Sequence, residues 1–337
     1  MINYDEIESV HLELSSMCNA NCPGCPRNYY GYPYNDGYVE RNLTLSNVKA
    51  IFRDINFIKQ LKRLRIEGNF GDFVSNNESI DIIKYFLQFN PELKVRIVTN
   101  GSAQKVAFWK ELGELGVTVV FSIDGLEDTH KIYRQSTNFN KIISNAKAFI
   151  NAGGKAHCKT VVFEHNKHQI EDIKQLTEGL GFVYFEEVNN TRGAIPAFNR
   201  RGTLVNKIDG YSKTIDLKQI LENRKTDEVL LEDVAPFVKE ANSINCEICG
   251  TKEIYIDSVG DVYPCCYLGF NPRKYGNGNY HQPVNKQIRK IIHPNNALRN
   301  RLENCIKWFK NVEQSWIKAT IEDGKLVACI DNCGVNK

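Results

Sequence analysis

Over the first 190 residues, strand-like apolar runs alternate with segments of helical period, and this alternation leaves few folds open to the chain. The strand runs lie near 8–14, 62–67, 93–99, 117–123, 156–163 and 182–188, and the helical segments at about 45–59, 77–89, 103–115, 138–151 and 168–180. A strand followed by a long helix cannot return as a hairpin. It must cross over, so the strands are expected to be parallel. Right-handed crossovers then gather the strand ends and their loops along one edge, where sheets of this kind bind ligands. Ser46 is expected to cap the first helix and Asn138 the fourth, which Gly153-Gly154 should end.

Beyond residue 190 the pattern changes. Residues 191–244 are polar with few strand signals and read as a linker, with a local helix over Asp227–Glu240. Glu253–Asp257 and Val262–Tyr263 flank Ser258-Val-Gly-Asp261 as a small hairpin. In Asn295–Ala319, the residues Leu298, Leu302, Cys305 and Phe309 mark one apolar helix face. The expected division is 1–190, 191–244 and 245–337. A length of 337 residues with 42% hydrophobic and 25% charged residues fits a soluble chain of about two domains. A net charge of +3 with no basic block gives no case for nucleic acid or a membrane as partner. No signal-peptide layout and no apolar run of roughly 20 residues is present, so a cytosolic location is expected. Eleven cysteines in that compartment point to metal or catalysis rather than disulfides.

The cysteines cluster. Cys18, Cys22 and Cys25 form a C-x3-C-x2-C run directly after Val10–Leu14, so three thiolates share one loop at the ligand edge. Such a loop can hold three irons of a [4Fe-4S] cube and leave the fourth open to a small molecule. A zinc knuckle is the alternative, though it wants four ligands. Cys246, Cys249 and Cys265, with Gly260 at the hairpin turn between them, form a second group, followed by Cys329 and Cys333. Four thiolates there would also satisfy zinc. Cys266 should point the other way from Cys265, while Cys158 and Cys305 read as core.

The first spacing resembles the signature of the radical S-adenosylmethionine (SAM) superfamily. The resemblance implies an α/β fold, a partial (β/α)6 TIM-like barrel followed by a small α+β twitch domain. It also implies a [4Fe-4S] cluster whose open iron binds SAM, with Cys18, Cys22 and Cys25 as catalytic metal ligands. One electron then cleaves SAM to a 5'-deoxyadenosyl radical, which takes a hydrogen atom from substrate. An aromatic residue often precedes the third cysteine in that family; here it is Gly24. Gly68-Asn69-Phe70-Gly71-Asp72 looks like the family's glycine-rich segment, with Asp72 facing the SAM amine. Thr99-Asn-Gly101 matches a turn of the relatives, while Ser122, Asp124 and Arg134 match their contacts to ribose and carboxylate. Glu186 or Glu187 should face inward, and His165, Asn166 and His168 lie past the fifth strand on the ligand edge.

The second cysteine group resembles the SPASM and twitch extensions of that superfamily, and the twitch form, with one auxiliary [4Fe-4S] cluster, fits better; the resemblance implies Cys246, Cys249, Cys265 and Cys333 as its ligands, with Cys329 as the replacement for the last. This implies a radical SAM oxidoreductase acting on a peptide, sugar or nucleotide, with flavodoxin or ferredoxin as electron donor. An isomerase or epimerase that recycles SAM, and a noncatalytic zinc or iron-sulfur binding module, are the alternatives.

Overall fold

The computed structural model describes residues 2–33, 39–191, 193–210, 243–270, 287–292 and 295–335. Six parallel strands follow one another in sequence order: β1 (Ser9–Leu12), β2 (Arg63–Ile66), β3 (Lys94–Thr99), β4 (Thr118–Ser122), β5 (Lys155–Val162) and β6 (Tyr184–Asn189). The crossovers carry α1 (Leu45–Ile51), α2 (Ile55–Gln60), α3 (Ser79–Phe89), α4 (Val106–Glu114), α5 (His130–Tyr133), α6 (Phe139–Asn151) and α7 (Ile170–Gly179). The parallel order is the one the alternation predicts, and the architecture is the partial (β/α)6 barrel that the resemblance implied. Period-two patterning explains it: Leu64, Ile66, Val95, Ile97, Val119 and Phe121 are buried with Phe86, Trp109 and Phe149 of the helices. Burial stabilises by about 1.5–3 kcal/mol for each such side chain. The intervening residues of these strands, Arg65, Arg96 and Ser122 among them, face the lumen.

Several local expectations change. The helix expected over 45–59 is two helices, because Asp54 accepts from the Asn56 N–H and starts a second one. The first cap is Thr44 rather than Ser46, in a reciprocal capping box with Asn47. Asn138 caps α6 as expected, accepting from the Lys141 N–H at 2.9 Å. Within the stretch expected as linker, β7 (Ile195–Phe198) and β8 (Leu204–Ile208) form an antiparallel hairpin. The helix expected over Asp227–Glu240 lies outside the described residues.

The C-terminal hairpin is present and joins the main sheet. Strand β9 (Glu253–Ile256) runs parallel to β1, from Ser9 against Glu253 to Leu12 against Ile256, and β10 (Val262–Tyr263) pairs antiparallel with β9. The sheet therefore has eight strands. Gly260 turns the hairpin at φ +87°, and a Cβ there would meet Leu298 Cγ at 2.8 Å. Around it lie α8 (Glu247–Thr251), α9 (Cys266–Phe270), α10 (Leu302–Cys305), α11 (Phe309–Trp316) and α12 (Val327–Cys333). The single helix expected from 295 to 319 starts late and breaks between α10 and α11. Its first residues are pinned to the hairpin instead: Val262 N–H donates to Asn295 O, and Asn296 Nδ2 donates to Val259 O and Asp261 Oδ1. Cys329 and Cys333 follow α11 and themselves lie on α12. No helix among the described residues is long and apolar enough to cross a membrane.

Candidate active site

The β1 strand delivers the chain into the three-cysteine loop at the end where the parallel strands finish. Cys22 is buried and Cys18 and Cys25 are half-buried, and the Cys25 N–H closes a turn onto Cys22 O at 3.0 Å. N–H donors already face the sulfurs: Ala20 N lies 3.4 Å from Cys18 Sγ, Asn100 Nδ2 3.6 Å from the same atom, and Arg134 Nη1 4.0 Å from Cys22 Sγ. Donors of this kind suit thiolates that ligate iron. Without metal, burial pushes the Cys22 thiol up to about 11 and raises Cys18 as well, with the neighbouring cysteines raising both further. Iron is the positive charge that would hold them as thiolates. Among the described residues, no three His, Cys, Asp or Glu side chains converge on one point as ligands of a single ion. A four-iron cube takes its thiolates at separate corners.

The glycine loop after β2 is held from within the protein. Glu13, which is 1% exposed, accepts from the Phe70 and Gly71 N–H groups with Oε1 and from the Tyr255 hydroxyl with Oε2. A Cβ on Gly71 would lie 1.9 Å from Ser15 O, and one on Gly68 2.0 Å from Gly71 O. The glycines thus let the loop press on the chain entering the cysteine loop. Asp72 is buried, and Thr99 Oγ1 donates to its Oδ1 while Asn100 donates to Oδ2 from both its backbone N and Nδ2. That fixes Asn100 beside Cys18 and Asn19. Asn69 reaches the other way, donating to Cys266 O at 3.1 Å.

Asp124 at the end of β4 is fully buried. It accepts from the Val161 N–H with Oδ1 and from Arg134 Nε with Oδ2, and its own N–H donates to His130 Nδ1. Arg134 is thereby aimed at the cysteine loop, and although burial opposes its charge, Asp124 holds it protonated. Ser122 is buried. Asn166, also buried, accepts from Phe163 N and donates to Asp124 O and Val161 O. It closes a turn. His165 stacks on Phe163 with ring centroids 5.1 Å apart, its Nε2 buried without a partner, while His168 is exposed.

The lumen carries more charge than the inward glutamate the sequence revealed. Glu67 pairs with Arg65 and Arg96, Arg65 also reaches Glu253 at 2.8 Å, and Lys159 pairs with Glu186 at 2.9 Å. Glu186 is the inward member of its pair; Glu187 is exposed. His11 bonds to Glu67 O and packs edge-on to Tyr255, leaving its buried Nδ1 without a partner. Residues two apart on a strand share a face, which was the available signal for Arg65 and Glu67. Their partners on β3 and β9 carried none.

In the C-terminal part, Cys246, Cys265, Cys329 and Cys333 line one cavity with Tyr267 and Trp316. Cys249 sits within electrostatic reach of Cys329. Five thiols therefore gather where four were expected, and the spacing of four residues on α12 puts Cys329 and Cys333 on one face. Leu268 N lies 3.5 Å from Cys265 Sγ. The Trp316 indole N–H is directed at the Cys329 sulfur without reaching hydrogen-bond geometry, so a buried donor stands at the cavity unsatisfied. A thiolate or sulfide there would satisfy it. Cys266 turns away toward Arg65, Glu253 and Glu67, as expected, and Cys158 and Cys305 are buried in the core.

Residues 12–177 match the family model of the radical SAM superfamily. No curated protein matches the chain. Among solved structures, Streptococcus suis SuiB bound to S-adenosylmethionine is similar with a TM-score of 0.53 at 16% identity, over 88% of this chain and 71% of that one. Native anSMEcpe with bound AdoMet gives 0.54 at 16%, over 97% and 89%. SuiB bound to the precursor peptide SuiA gives 0.53 at 15%, over 96% and 77%. At these identities the likeness is one of fold.

Proposed function

We infer that the chain, whose residues 12–177 match the radical SAM superfamily model, is an enzyme that cleaves SAM reductively at a [4Fe-4S] cluster held by Cys18, Cys22 and Cys25. The observation that carries this reading is the cysteine loop at the sheet's ligand edge with N–H donors from Ala20, Asn100 and Arg134 facing its sulfurs. When bound, the cluster and SAM would supply radical chemistry for abstraction of a hydrogen atom from substrate. The chain's own part is to position and to exclude water. Arg134, aimed by Asp124, offers a guanidinium to a carboxylate at the loop. Asp72 holds Asn100 in place, and Glu13 fixes the backbone of the glycine loop. Ala20, Tyr133, Phe163 and Ile208 wall the loop with apolar surface. Gly68 and Gly71 act through packing of their backbone, Asn69 through its side-chain hydrogen bond to Cys266 O, and Ser122 faces the same space.

We assign the substrate to the charged lumen, where Arg96, Lys159 and Glu186 offer polar contacts to a small molecule or peptide. Four of Cys246, Cys249, Cys265, Cys329 and Cys333 are the ligands of an auxiliary [4Fe-4S] cluster, with Trp316 as its indole donor. Five thiols for four irons favour a fully thiolate-bound electron acceptor, hence a net oxidation, over an iron left open to substrate. A small electron carrier of the flavodoxin or ferredoxin kind is the proposed reductant. Anoxic protein given dithionite and SAM should release 5'-deoxyadenosine, measured by chromatography, and Cys22→Ala should abolish it. Cluster-loaded wild type that forms none would contradict the reading.

A further inference from the structure

The β7–β8 hairpin follows the sixth barrel strand and folds back over the cysteine loop. Three independent contacts hold it there. Arg200, at the hairpin turn, donates from Nε to Asn21 Oδ1 at 2.7 Å and from Nη2 to Asn19 O at 2.8 Å. Asn19 and Asn21 are two of the three residues between Cys18 and Cys22. The Phe198 N–H donates to Tyr30 O at 2.8 Å, and Gly31 approaches so closely that a Cβ on it would lie 2.4 Å from Phe198 O. Ile195, Ala197 and Ile208 then share a small core with Ala20, Cys22, Tyr133 and Phe163, separate from the main core of the barrel.

These contacts fix the first half of the loop from a side the barrel does not reach. Asn19 also accepts from Asn100 Nδ2 at 3.0 Å, and the Asn21 N–H donates to Gln135 O at 2.9 Å, so the segment is gripped between barrel and hairpin. A guanidinium suits the outer grip because its planar fork meets two acceptors at once, whereas an ammonium offers a point charge. We propose that Arg200 is a positioning residue for the first cluster: it bridges Asn19 and Asn21 so that the Cys18 and Cys22 sulfurs keep the spacing the cube needs, and the hairpin is the clamp that carries it. Its contacts are to the loop's asparagines, which makes it a positioning residue.

The proposal rests on the first-cluster reading, and its test separates the two. Full-length wild type, Arg200→Ala, Arg200→Lys and, as a control on the same hairpin, Val205→Thr are reconstituted anoxically with iron and sulfide. The first readout is iron content and the rate at which the cluster absorbance bleaches in air. The second is the electron paramagnetic resonance spectrum of the reduced protein with and without SAM. Arg200→Ala should bleach about fivefold faster in the phase assigned to the first cluster, the factor expected for about one net hydrogen bond. Its SAM-dependent spectral change should broaden or weaken. Arg200→Lys should not restore either property, because charge alone cannot bridge the two asparagines, and Val205→Thr should behave as wild type. Thermal melts of the four apoproteins report any general loss of folding. Equal bleaching and unchanged spectra in Arg200→Ala, or full rescue by lysine, would overturn the proposal; a wild type that takes up no iron would instead overturn the reading beneath it.

Discussion

Asp72 and Asp124 show how a site residue can be visible in sequence while its work is not. Asp124 stands just past the end of β4 and Asp72 closes the glycine loop after β2, which is why both could be picked out, but partners such as Thr99, Asn100 and Val161 come from 27 to 37 residues further along the chain. Each is an internal brace: Asp72 for Asn100, and Asp124 for Arg134 and His130. His130 makes the bracing measurable. Burial lowers its pKa to about 4, against about 6.5 for an exposed histidine. The folded value lies below the unfolded one, so as pH falls the unfolded chain takes up the proton first. The stabilising contribution is therefore full above about pH 6.5 and is lost toward pH 4. From pH 7 to pH 5 this residue should remove about 2 kcal/mol of stability. Urea unfolding across that range should show a shallower pH slope for His130→Gln than for wild type, and an equal slope would refute the assignment.

Elements whose cause is local were legible. The six parallel strands follow from period-two patterning, and Asn138 caps its helix with its own side chain. The helix broken at Asp54 and the shortened one after residue 295 were misread because capping and distant asparagine contacts outweigh apolar spacing. The glycine loop is the clearest case of an element defined by contact. Its glycines looked like a ligand cradle, yet Gly71 faces the backbone of Ser15. A backbone oxygen cannot rotate away as a side chain would. Gly71→Ala should therefore cost about 3 kcal/mol by urea unfolding. Gly179→Ala, with nothing within 4 Å of its new Cβ, should be neutral or slightly stabilising. Equal effects of the two would refute the packing argument.

At the scale of the whole molecule, two groups of thiols far apart in sequence are joined to one sheet. Each group could be recognised from its spacing, because ligands on one loop leave a local signature. The link between them could not. Glu253–Ile256 adds to β1 across more than 240 residues of chain, and the path from Glu13 through Tyr255, or from Asn69 to Cys266, exists only once that strand is in place. The charged lumen was hidden for the same reason, since Arg65, Glu67, Arg96 and Glu253 come from three strands and a strand end. All of this architecture converges on the loop of Cys18, Cys22 and Cys25, where we propose that an iron stands open to SAM. Electron paramagnetic resonance of anoxic, dithionite-reduced protein tests it most directly. Adding SAM should shift the signal of one cluster, and that shift should vanish in the Cys18→Ala/Cys22→Ala/Cys25→Ala variant while any C-terminal signal persists. A wild-type spectrum that does not respond to SAM would contradict the account.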